Sequence, residues 1–157
     1  MTGLGIIRRG KRAQRGFSMI EVLIALVILA VGLLGLALLQ TMNLRYTKSA
    51  EQRTKAINLA SSILDTMRTN RSELAAYAVG EGGFDGVVTI GGCARDDALT
   101  ASGNLARWKC EVREALGPEA EGSITINNSA VRVELSWSED NLPSLAGGAE
   151  IVLETVL

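Results

Sequence analysis

The chain has 157 residues, a formal net charge of −1 and no histidine, so length suggests one small folded domain, and catalysis or metal binding through imidazole is excluded. The charge is unevenly placed: Arg8, Arg9, Lys11, Arg12 and Arg15 precede any acid, which leaves eleven basic residues against seventeen acids, or −6, over residues 17–157. That acidity argues against nonspecific nucleic-acid binding, which needs many cations facing phosphates, and no nucleic-acid partner is expected.

Residues 1–16 form a short basic leader, and its charge suggests a cytoplasmic N-terminus. Residues 17–39 follow as FSMIEVLIALVILAVGLLGLALL, with Glu21 the one charged residue among them. As a helix this run is about 35 Å long, enough to cross a bilayer core of about 30 Å. Gly35 and Ala37 offer the small-x-small site of a cleaved secretory signal, but the apolar cores of such signals span about 7–15 residues. A secretory signal would also leave Glu21 unexplained.

No Pro or Gly occurs between Leu36 and Val79, so residues 40–79 are expected to continue the membrane helix as an amphipathic one, giving a single helix from Phe17 to Ala78. Its apolar stripe is read as Leu44, Thr47, Ala50, Thr54, Ile57, Ala60, Leu64, Met67 and Leu74, interrupted by Arg71. Such a stripe needs the distal domain or another protein's helix to cover it.

Residues 80–157 form the distal domain. Gly80, Gly82, Gly83 and Gly86 stop the helix. The stretch GEGGFDG has the wrong spacing for a nucleotide-binding loop, and it follows a helix where such a loop opens one, so it reads as a flexible cap. After a short apolar run, Val87 to Ile90, Asn104 is the expected cap of a helix through Trp108 to Leu116, ended by Gly117-Pro118. The period then changes to two. Ile124 and Ile126, then Val131, Val133, Leu135 and Trp137, alternate with polar residues. A tight turn at Asn127-Asn128 would set Ile124 opposite Val131. Ile151, Leu153 and Leu157 mark a last strand. The expected fold is α+β, a long N-terminal helix packed on a small antiparallel sheet of three or four strands.

Cys93 and Cys110 lie beyond the membrane segment, and an isolated pair there reads as a disulfide formed in an oxidising compartment, with two buried thiols as the alternative. Asp96-Asp97 and Glu139-Asp140-Asn141 lack the alternate-position oxygens of a calcium loop and read as solvated loops. Trp108 and Trp137 lie on apolar faces and read as core.

Arg15-Gly16-Phe17-Ser18-Met19-Ile20-Glu21, followed by unbroken apolar sequence, closely resembles the cleavage site of the type IV prepilin family. The resemblance directly covers residues 11–39. It implies a cut between Gly16 and Phe17, methylation of the new Phe17 amine, and a role in subunit assembly for Glu21, which would pair with the α-amine of an incoming subunit. The segments SMIEVLIALVILAVGLLGLALLQ and LASSILDTMRTNR are similar to minor pilins of the PilV kind, the type IV pilus modification proteins. The membrane helix lacks the proline usual in major pilins, and the cysteine pair lies far from the C-terminus; both features point to a minor subunit.

The resemblance further implies a prepilin peptidase, other major and minor pilins, an inner-membrane assembly platform and a tip adhesin as partners. It places the chain in the inner membrane, with a periplasmic domain, and then in a pilus used for twitching and adhesion. No cofactor, metal or catalytic residue is expected. A minor pseudopilin of a type II secretion system is the alternative within the superfamily. A signal-anchored periplasmic enzyme or binding domain is the alternative outside it.

Overall fold

A computed structural model of the protein describes residues 16–80, 82–89, 92–93, 100–139 and 148–157. The chain divides into two compact units, Met1–Thr41 and Met42–Leu157. Helix α1, Met19–Thr69, begins in the first and ends in the second. The first unit is described by one stretch of that helix, and every residue from 16 to 48 is exposed.

The second unit is α+β. Its elements in order are the rest of α1, a 3₁₀ segment at Arg71–Tyr77, helix α2 (Ala101–Leu116), and strands β1 (Glu121–Asn127), β2 (Ala130–Trp137) and β3 (Ala149–Val156). The strands form one antiparallel sheet in the order β1-β2-β3. One core joins Ala56, Ala60, Ile63, Leu64 and Met67 of α1, Leu105, Trp108 and Val112 of α2, and Ile124, Val131, Val133, Leu135 and Trp137 of the sheet. Ala56 and Ala60 are fully buried. Side chains this small let the helix backbone approach what it packs against.

In the helices and the hairpin, four details differ from the sequence expectations. First, the α-helix ends at Thr69, not at Ala78. Asn70 takes φ −125° and ψ 51°, outside the helical region, and the chain continues as 3₁₀. The break falls beside Arg71, where the apolar stripe was interrupted, and it turns Tyr77 fully into the core. Second, the buried face of α1 is not the predicted one in its first half. Ser49 and Ala56 are buried there, whereas Leu44 is 71% and Ile57 46% exposed. The stripe through Leu44, Thr47, Ala50, Thr54 and Ile57 lies on a face that the domain leaves open. Thr47 and Thr54 turn their hydroxyls back to the carbonyls of Asn43 and Ala50, both at 2.9 Å, which presents their methyl groups outward.

Third, α2 is capped by Thr100, whose Oγ1 accepts from Gly103 N at 3.1 Å. Asn104 lies inside the helix and donates to the Tyr77 hydroxyl at 3.4 Å. The other end of α2 follows expectation: Gly117 has φ 117°, a conformation that favours glycine, and its N–H bonds Arg113 O at 3.0 Å. Fourth, the hairpin turns one residue later than predicted, at Asn128-Ser129. Asn128 takes φ 56°, which asparagine tolerates better than most residues. Ile124 therefore faces Val133 and Ile126 faces Val131. A partner shift of two keeps the same side chains on the same face, so the predicted core set survives the changed register.

The glycine segment is not a loose cap. Phe84 is fully buried and meets Trp108 edge-to-face, with ring centroids 5.7 Å apart. A Cβ at Gly122 would stand 3.0 Å from the Phe84 ring and 2.8 Å from Leu135, so glycine at 122 admits Phe84 against the sheet.

Candidate functional site

Gly16, Phe17 and Ser18 precede the first helical turn, and the Ser18 carbonyl accepts from Glu21 N at 3.0 Å. A Cβ at Gly16 would meet nothing within 4 Å, and the residue's φ is not in the left-handed region. The fold therefore places no demand for glycine at position 16.

Phe17 is 82% exposed. Glu21 lies in the first turn of α1, where a carboxylate complements the partial positive charge of the helix start. Phe17, Glu21, Val22, Ala25, Leu26 and Leu29 line a shallow groove along one side of the helix. Glu21 is the one charged group on that strip, and it forms no ion pair among the described residues. The helix is long and apolar enough to cross a membrane, with a mean hydropathy of 3.1 in its most apolar window, none of which is buried within the chain. In lipid, a lone carboxylate on such a surface is costly unless it is paired. The arrangement is thus an exposed Gly16-Phe17 peptide followed by an uncovered apolar helix with a single acid near its start.

Residues 11–37 match the family model of the prokaryotic N-terminal methylation motif. The chain carries a prepilin-type N-terminus. No curated protein and no solved structure matches the chain. The prepilin-type motif supports a type IV pilin-like protein, a precursor of the pilin or pseudopilin class. It implies processing by prepilin peptidase and assembly with pilins in general. Together with the apolar helix it fits an inner-membrane anchored pilin. Of the sequence-predicted site residues, Gly16, Phe17 and Glu21 fall together at the start of α1, whereas leader residues 1–15 lie outside the described residues.

Cys93 and Cys110 form a disulfide with a Cα–Cα distance of 5.5 Å. It ties the segment after the glycine turns to α2, and two cations of α2 hold the same segment. Lys109 Nζ donates to Gly83 O at 2.6 Å and lies 5.8 Å from the Phe84 ring centroid. Burial pulls the Lys109 pKa below the usual lysine value. Arg113 donates to Val87 O at 3.3 Å and to Glu121 Oε1 at 3.0 Å. These contacts hold the chain around Gly83 to Cys93 against α2. Among the described residues no cluster of three metal-binding side chains occurs. Asp96, Asp97, Asp140 and Asn141 lie outside the described residues.

Glu139 departs from the solvated-loop reading. It is 4% exposed and accepts from Ser49 Oγ at 2.8 Å, while its Oε2 has no hydrogen-bond partner. The contact joins residues 90 positions apart, the α1 stretch of the domain to the chain just beyond β2. Local sequence carries no signal for it, since Glu139 stands among polar residues and Ser49 on an otherwise polar turn.

Proposed function

We propose that the chain is a minor pilin of the PilV kind that enters or primes a type IV pilus once its leader is removed. The observation that carries this reading is the matched Gly16-Phe17…Glu21 peptide at the head of an uncovered apolar helix. In this reading the basic leader stays in the cytoplasm, the helix is held in the inner membrane, and residues 42–157 stand in the periplasm, where Cys93 and Cys110 oxidise. The partners are the peptidase, major and minor pilins, the assembly platform and a tip adhesin. The chain serves as an assembly subunit, not as an enzyme.

Within this reading Glu21 pairs with the methylated α-amine of Phe17 on a neighbouring subunit. Methylation preserves the amine's charge, and the amine exists only after cleavage. Water is absent in lipid, so another subunit must supply the counter-charge. Glu21→Ala is therefore expected to leave insertion, leader removal and the distal domain intact while incorporation into sheared filaments drops by about tenfold or more, the scale of one lost intramembrane pairing. Equal incorporation of mutant and wild type would leave Glu21 only its role at its own helix start.

The type II secretion pseudopilin is the competing assignment, because the motif serves both classes. A deletion strain separates them. Loss of surface pili and twitching with normal secretion supports the pilus reading; lost secretion with normal pili overturns it.

A further inference from the structure

The two edges of the sheet are finished differently. The β1 edge is covered: Val79 and Ile124 exchange both backbone hydrogen bonds, at 3.0 and 2.9 Å, and Phe84 packs against Gly122. Among the described residues the β3 edge is open: no backbone group of theirs pairs with β3 on the side away from β2. The eight residues Ala149–Val156 pair with β2 without a bulge and contain no proline and no lysine; of the usual edge protections they carry only the charges of Glu150 and Glu154.

Burial shows the same gap. The inward side chains of β2, namely Val131, Val133 and Leu135, are fully buried. Their neighbours on β3, Ile151 and Leu153, are only partly buried, although they face the same core. A further strand beside β3 would complete their cover.

The outward side chains of β3 are Glu150, Val152, Glu154 and Val156. Neither carboxylate forms an ion pair among the described residues. Glu154 lies opposite Arg132 in the β2–β3 register, whereas Glu150, opposite Ser136, lies diagonal to Glu134. Hydrogen bonding to Glu134, with the charge of that carboxylate added, raises the Glu150 pKa above the usual carboxylate value. The acid is thus short of a base. A second copy of this edge would not supply one: paired antiparallel about Val152, it would set Glu150 opposite Glu154 twice, and like charges directly opposite are destabilising.

We propose that the open edge of β3 docks an extended segment of a different protein, whose lysine or arginine side chains stand beside Glu150 and Glu154 and whose alternate, apolar side chains extend the cover of Ile151 and Leu153. Main-chain hydrogen bonds would provide the affinity and the alternating side chains the selectivity, as in strand addition generally. The inference does not depend on which filament the chain enters.

The test uses the full chain in detergent and an eight-residue peptide alternating lysine with valine. Hydrogen exchange is read at Ala149–Val156. The peptide is expected to slow exchange there by about tenfold or more, as a newly paired strand does. The same peptide N-methylated on alternate backbone nitrogens keeps its charge but loses its donors, and should give no protection. A peptide with glutamate in place of lysine should also fail. The Glu150→Gln/Glu154→Gln variant, altered only at exposed positions and setting no like charge opposite Arg132, should keep its Tm and lose most of the response. No slowing with the lysine peptide, or equal slowing with either control peptide, would overturn the proposal. So would a dimer of the free chain with β3 already protected, because a second copy would then occupy the edge.

Discussion

Two stretches of α1 sit in one helix and obey different rules. From Met19 to Thr41 fifteen of the 23 residues are Leu, Ile, Val or Met, yet every residue is exposed. From Met42 to Thr69 the helix is far more polar, yet Ala56, Ala60, Ile63, Leu64 and Met67 are buried against the domain. Apolar composition and burial within the chain are therefore separate facts. The first stretch is long and apolar enough to cross a membrane, and none of the described residues covers it. The second carries just enough apolar surface, in small and medium side chains, to meet its own sheet.

The comparison is broken most directly by truncating one leucine of the exposed stretch and one of the core that the buried stretch packs against. Leu135→Ala, at a fully buried strand position facing the α1 core, is expected to destabilise the domain by about 2–5 kcal/mol. Leu29→Ala, in the apolar stretch and 57% exposed, should shift the same denaturation curve by less than about 0.5 kcal/mol. Urea unfolding of the full chain in detergent, followed by tryptophan fluorescence, reports on the domain, because Trp108 and Trp137 are both in its core. A large effect of Leu29→Ala would show that the apolar stretch is part of the domain's stability.

Reducing the Cys93–Cys110 bond comes next in size. It closes a loop of sequence separation 17, for which the chain-entropy account gives about 3 kcal/mol. Unfolding with and without reductant measures it. A shift below about 1 kcal/mol would show that Lys109, Arg113 and buried Phe84 hold the segment without the bond, through contacts each worth about that much.

Ser49→Ala is the smaller test, and it probes where the exposed stretch gives way to the buried one. It removes the one donor that the described residues offer Glu139 and leaves a buried carboxylate without it, at a cost of about 1–3 kcal/mol. Adding Glu139→Gln should recover part of that loss, because a neutral amide is less costly to bury than a charge. Denaturation of the two variants beside wild type decides it. No loss in Ser49→Ala would mean that the contact does not anchor α1.

Much of this was legible in the sequence, for identifiable reasons. The apolar run, the Gly16-Phe17-Glu21 spacing, the alternation through Val131 to Trp137 and the cysteine pair are local signals, each tied to one physical demand. The fold class follows from them. What was missed depends on contacts that periodicity does not carry. Leu44 and Ile57 make as good a helical stripe as Ala56 and Ile63, and only the position of the sheet decides which face is buried. Thr100 and Asn104 can both cap a helix; the Tyr77 hydroxyl takes Asn104, and Thr100 remains. Glu139 looked like one acid in a polar loop because its donor, Ser49, is 90 residues away. The open β3 edge has no sequence signature either, since an edge strand differs from a central one only by what lies beside it.

The central claim is that this is a prepilin-type precursor whose working N-terminus is Phe17. Mass spectrometry of the N-terminal peptide of the protein purified from its native host tests it most directly. The account predicts a chain that begins at Phe17 with a methylated α-amine. Retention of Met1, or a new terminus near Leu38 as a secretory signal peptidase would leave, would contradict it.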